Sequence, residues 1–127
     1  MAASAIYIAS PEGDTGKSTI ALGILARLAA NVAKVGVFRP IARSEGGRRD
    51  YILELLLAHA TAGLSYQDCV GVSYQRLHED LDGAITEIVE RYHEVAAQCD
   101  AVLIVGSDYT DVASPSELAV NARIAAN

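Results

Sequence analysis

The segment that most narrows what this chain can fold into is Glu12-Gly13-Asp14-Thr15-Gly16-Lys17-Ser18-Thr19, set between an apolar run (Ala5–Ala9, AIYIA) and a stretch of helical periodicity. Glycines there let successive backbone N–H groups turn toward an anion, and a helix opening at Lys17 adds its unbonded first-turn N–H groups and the positive end of its dipole. Gly13, Asp14, Thr15, Gly16, Lys17, Ser18 and Thr19 are thus expected to wrap a phosphate group, with Lys17 reaching the terminal phosphates and Ser18 holding magnesium. The pattern G-x-x-x-x-G-K-[ST] is met except at its first glycine, where Pro11 stands. Proline fixes φ and offers no N–H, so the loop is entered differently.

A strand, a phosphate loop and a helix imply an α/β unit, and the rest of the chain repeats the alternation. Ala21, Ile24 or Leu25, Leu28 and Val32 recur at helical spacing, with one buried face. Val35 to Phe38 is a second strand, stopped by Pro40, and a nearly apolar helix from about Asp50 to Ala62 follows. Its apolar width calls for broad cover or an oligomer contact. Cys69 to Ser73 is a strand interrupted by Gly71. Leu81, Ile85, Ile88, Tyr92, Val95 and Cys99 alternate spacings of four and three, which predicts a long amphipathic helix from Asp80. Ala101 to Val105 is a buried strand, and Ser114-Pro115-Ser116-Glu117 reads as a capped start for a last helix toward Ala126. Such crossovers predict a parallel sheet with helices on both faces. A helix with no strand after it further suggests a piece of something longer.

Composition removes several function classes. The net charge is −6 and the longest basic run is Arg48-Arg49, so a nucleic-acid partner is not expected. The chain shows no leader and no apolar run near membrane-spanning length, and it reads as cytoplasmic. Cys69 and Cys99 lack redox or zinc spacing and read as free thiols, and His59, His78 and His93 are too scattered to form a metal site. Turnover of a nucleotide needs a carboxylate on the metal, and Asp14, Asp50 and Asp108 are the candidates. Asp108 follows a strand, at the carboxyl edge where ligands of open α/β sheets sit. Asp50 opens a helix, as a metal ligand or an N-cap. Arg39 ends the second strand at the same rim, where a guanidinium can clamp a phosphate or carboxylate.

These residues, with Val35-Gly36-Val37-Phe38-Arg39-Pro40-Ile41, Asp100 to Thr110 and Ser116 to Arg123, resemble the amino-terminal domain of long-form phosphate acetyltransferases, the actinobacterial kind in particular. That domain is similar in turn to dethiobiotin synthetase, an ATP-dependent carboxylase with a P-loop NTPase-like parallel sheet. The resemblance implies that Lys17 and Ser18 meet ATP and magnesium, that Arg39-Pro40 stands for a substrate-binding Lys-Pro, and that Asp50 matches a metal-binding Asp. Val105 before Gly106 replaces an acidic residue of the relative, which removes one metal ligand. It also implies a parent enzyme exchanging acetyl between coenzyme A and phosphate, on a separate carboxyl-terminal acetyltransferase domain. Residues 1–127 are then a regulatory or assembly domain binding ATP or another phosphate-bearing molecule, expected to self-associate. An ATP-dependent ligase and a purely structural oligomerisation domain are the competing readings.

Overall fold

A computed structural model describes residues 4–8, 17–42, 50–106 and 124–125. In chain order the elements are β1 (Ser4–Ile8), α1 (Lys17–Asn31), β2 (Val35–Ala42), α2 (Tyr51–Leu57), a 3₁₀ turn at Gln67–Cys69, β3 (Val70–Ser73), α3 (Tyr74–Glu79), α4 (Leu81–Ala96) and β4 (Ala101–Val105). The strands form one sheet in the order β1-β4-β2-β3, every pair parallel. Register is set by Ile6 opposite Leu103, Val37 opposite Leu103, and Arg39 opposite Val70. β4 lies between two strands and is buried at all five positions, which is why it reads as an uninterrupted apolar run.

Alternation along the central strands divides the core into two layers. Val35, Val37, Leu103 and Val105 pack with Ala21 and Leu25 of α1 and Leu53 and Leu56 of α2. Phe38, Val102 and Ile104 pack on the other face with Leu77 of α3 and Ala84, Ile85, Ile88 and Val95 of α4. Each fully buried side chain of this size contributes roughly 1.5–3 kcal/mol, so both layers are needed for a chain of this length to fold. α4 begins where the Asp80 carboxylate accepts from the Gly83 N–H; of the stripe its spacing predicts, Ile85, Ile88 and Val95 are buried together with Ala84, Tyr92 is half-buried, Leu81 is exposed, and Cys99 lies beyond the helix end. The α/β architecture expected from the sequence, a parallel sheet covered on both faces, is the one present.

Several elements differ in detail from expectation. β1 is an edge strand in the described sheet rather than a buried one; Ser4, Ala5 and Ile6 are exposed, and Tyr7 and Ile8 half-buried. β2 does not stop at Pro40 but continues to Ala42. Alternate residues of a parallel strand serve the same neighbour, and Arg39 and Ile41 pair with β3. Ala42 also pairs with β3, opposite Ser73, so the strand runs on past the proline, while the β4 pairing ends at Phe38 with Ile104. Gly71 does not break β3; a Cβ there would lie 2.2 Å from the Pro40 carbonyl oxygen, so glycine is what lets the strands approach. α2 ends at Leu57 instead of Ala62, because Thr61 and Ala62 give their N–H groups to the Val35 carbonyl while the Thr61 hydroxyl accepts from the Val35 N–H at 2.8 Å. These tertiary bonds outcompete another helical turn. α3 has no counterpart in the sequence reading, and of the last helix only Ile124 and Ala125 lie within the described residues, both helical.

Candidate functional site

The carboxyl ends of three neighbouring strands meet at one rim. β1 ends at Ile8, whose carbonyl accepts from the Gly106 N–H at 2.8 Å, so the residue after β4 is tied to the end of β1. α1 opens at Lys17 and packs Ala21 and Leu25 on the sheet. Running antiparallel to the strands, this 15-residue helix brings its amino end, with the positive end of its dipole, back to the rim. Lys17 and Ser18 are its first residues, and Thr19 is exposed. Gly13, Asp14, Thr15 and Gly16 lie outside the described residues, as does Asp108.

What the described part of the rim holds is an ion pair. Arg39 and Asp50 are the two charged residues buried among the described ones, 1% and 2% exposed. The Arg39 Nε donates to Asp50 Oδ2 at 2.9 Å. Its Nη1 donates to the Gly106 carbonyl at 2.9 Å and, at 3.4 Å, toward that of Val105. Asp50 Oδ1 accepts from the Leu53 N–H at 3.1 Å, capping α2, and the Asp50 N–H donates to the Tyr66 hydroxyl at 2.6 Å. Two charges this far from water are tolerated only when paired and hydrogen-bonded on their remaining atoms, which is the arrangement here. The pair joins the middle of β2, three residues before its end, to the start of α2 and the exit of β4.

Of the expected site residues, the fold therefore brings Arg39 and Asp50 together directly, with Lys17, Ser18 and Thr19 on the helix that starts at the same rim. Asp50 is the N-cap that its position at a helix start allowed for. Tyr66 and the Gly106 carbonyl were missed. No local pattern marks either one, since both act through contacts distant in sequence. The described residues contain no cluster of three or more His, Cys, Asp or Glu able to hold a metal ion. Cys69 and Cys99 are both free. Burial, then the nearby Asp68 carboxylate, pushes the Cys69 thiol up to about 12, and burial also raises Cys99 and Tyr92. An apolar groove of about 240 Å³, lined by Tyr7, Phe38, Pro40, Ile88, Tyr92 and Ile104, lies on the α4 face of the sheet rather than beside the ion pair. No helix of the described residues is long and apolar enough to cross a membrane.

Comparison with known proteins supplies a frame for this geometry. The protein family described as AAA domain matches residues 4–127. The chain is 31% identical over 128 residues to a phosphate acetyltransferase of Nitratidesulfovibrio vulgaris strain Hildenborough, and 32% identical over 131 residues to one of Synechocystis sp. strain PCC 6803. Each match takes in 96% of this chain but 18% of the relative, so the chain spans less than a fifth of the length of these relatives.

Proposed function

Because the chain belongs to the AAA domain family, we propose that it serves as the amino-terminal regulatory or assembly domain of a phosphate acetyltransferase and binds a phosphate-bearing ligand, ATP among the candidates, at Gly13–Thr19. The observation that carries this reading is the pairing of coverages, nearly the whole of this chain against less than a fifth of each phosphate acetyltransferase. A domain of that share leaves acetyl transfer between coenzyme A and phosphate to the remainder of the parent protein. The amino end of α1 at the strand rim supports the binding half of the proposal, since first-turn N–H groups and the helix dipole both favour an anion there. Arg39, assigned to the ligand on sequence grounds, contributes by holding the Gly106 carbonyl and hence the frame of the loop.

The test is calorimetric titration of the chain with ATP and magnesium, repeated with Lys17→Ala, alongside an assay for acetyl phosphate from acetyl-CoA and phosphate. The expected result is saturable binding, weakened about tenfold or more by Lys17→Ala, with no acetyl transfer by the chain alone. Acetyl phosphate production would overturn the domain assignment. Unchanged affinity in Lys17→Ala would remove the loop from the site. Self-association is the remaining part of the proposal. It rests on Tyr51, 74% exposed at the head of α2, and on the exposed Ile20 of α1. Sedimentation giving a clean monomer at all concentrations would end it.

A further inference from the structure

The resemblance to dethiobiotin synthetase gives Asp50 a divalent ion, and the donor set around it does not fit one. Magnesium takes hard oxygen ligands in near-octahedral geometry and keeps several of its waters. Asp50 is 2% exposed, its Oδ2 lies 2.9 Å from the Arg39 Nε, and its Oδ1 accepts from the Leu53 N–H. The carbonyls of Gly106 and Val105, further hard oxygens of the kind a cation seeks, face the same guanidinium. The acidic side chain that would complete a metal site at the end of β4 is absent, with Val105 standing there fully buried in the apolar layer. One carboxylate and two carbonyls thus converge on a positive charge that the chain itself supplies.

We infer that the cation of this part of the rim is the Arg39 guanidinium, and that Asp50 does not ligate a divalent metal in this protein. The guanidinium meets the demands of these oxygens. It is planar, permanently charged and less strongly hydrated than a small ammonium, and it spreads its N–H groups over several acceptors at once. A divalent ion brought to Asp50 would meet that fixed positive charge beside its ligand, in surroundings where water screens little. Binding of a phosphate group at the loop then depends on magnesium only through the ligand's own chelation and through residues other than Asp50. The assignment of Asp50 stands apart from the phosphate-loop proposal, and this last consequence rests on it.

The experiment uses Mn²⁺ alone as a paramagnetic probe of the unaltered, isotope-labelled chain, reading the amide resonances of Asp50 and Leu53 against that of Gly23, exposed on α1. The expected result is no saturable broadening of Asp50 and Leu53 beyond that of Gly23. Saturable broadening of the pair that Asp50→Asn abolishes would overturn the inference. A second arm measures ATP affinity with magnesium and with a chelator, in the parent chain and in Asp50→Asn. The ratio of the two affinities is expected to agree within about twofold between the proteins, and a loss of that ratio by about tenfold in the variant would again overturn it. If ATP binds under neither condition, the phosphate-loop proposal fails while the Mn²⁺ arm still decides the role of Asp50.

Discussion

Replacing Arg39 by Met keeps most of the apolar stem and removes the charge, leaving the Asp50 carboxyl 2% exposed and without its 2.9 Å partner. Removing one member of a buried pair costs about 3–5 kcal/mol, because the partner charge stays behind uncompensated. The Gly106 carbonyl loses its 2.9 Å donor as well, a further penalty of about 1 kcal/mol. Asp50→Asn retains an oxygen to cap Leu53 but removes the Asp50 charge from beside the guanidinium, and its cost falls in the same range of about 3–5 kcal/mol. Both losses have one origin, so the double variant should cost less than their sum, with a coupling of at least ~2 kcal/mol. From the upper part of the usual stability range of about 5–15 kcal/mol, either single variant stays folded enough for urea unfolding and should melt roughly 10–30 °C lower. Additive effects, or a cost for Arg39→Met below about 1 kcal/mol, would refute the reasoning and make the pair a solvated one.

Two glycines give opposite outcomes for the same substitution. Gly71→Ala sets a Cβ 2.2 Å from a backbone oxygen of β2 that cannot move alone, and urea unfolding should show a loss of at least ~2 kcal/mol. Gly23→Ala, at an exposed position of α1, meets nothing within 4 Å and should stabilise by about 0.5–1 kcal/mol in the same assay. Cys69, its thiol raised to about 12, should resist a thiol reagent at pH 8 in the folded chain and react only on unfolding. Because the folded state holds that proton more tightly than the unfolded one, Cys69 should also make stability fall as pH rises from about 9 toward 12, and Cys69→Ala should flatten the alkaline slope.

Much of the fold was legible because its central elements are governed by local pattern. A run such as Ala101–Val105 has no exposed face to reconcile, and the four–three spacing of Leu81 to Val95 matches one face of one helix. The reading failed where a long-range contact overrides local preference. Pro40 looks like a stop until Ile41 and Ala42 are seen to pair with β3 beyond it. The stretch from Ala58 to Ala62 looks helical until Thr61 is seen to bond Val35. β1 reads as buried because its composition resembles that of β4, yet burial depends on how many neighbours a strand has, and β1 has one in the described sheet.

The site divides along the same line. A motif announces itself when consecutive residues carry its physics, as Gly13 to Ser18 do through glycine freedom and a helix start. In the sequence Arg39 stands at a strand end, which points to a phosphate or carboxylate ligand, and Asp50 at a helix start, which points to a metal or to an N-cap. That they answer one another is fixed by how β2 lies beside the start of α2 and by the Gly106 carbonyl that also accepts from Arg39, none of which is encoded within a few residues of either. A polar residue at a strand's carboxyl edge thus has two physical explanations of equal standing, a ligand or an internal partner, and burial discriminates between them. At 1% exposure the guanidinium needs a permanent counter-charge even when no ligand is bound, and Asp50 provides one.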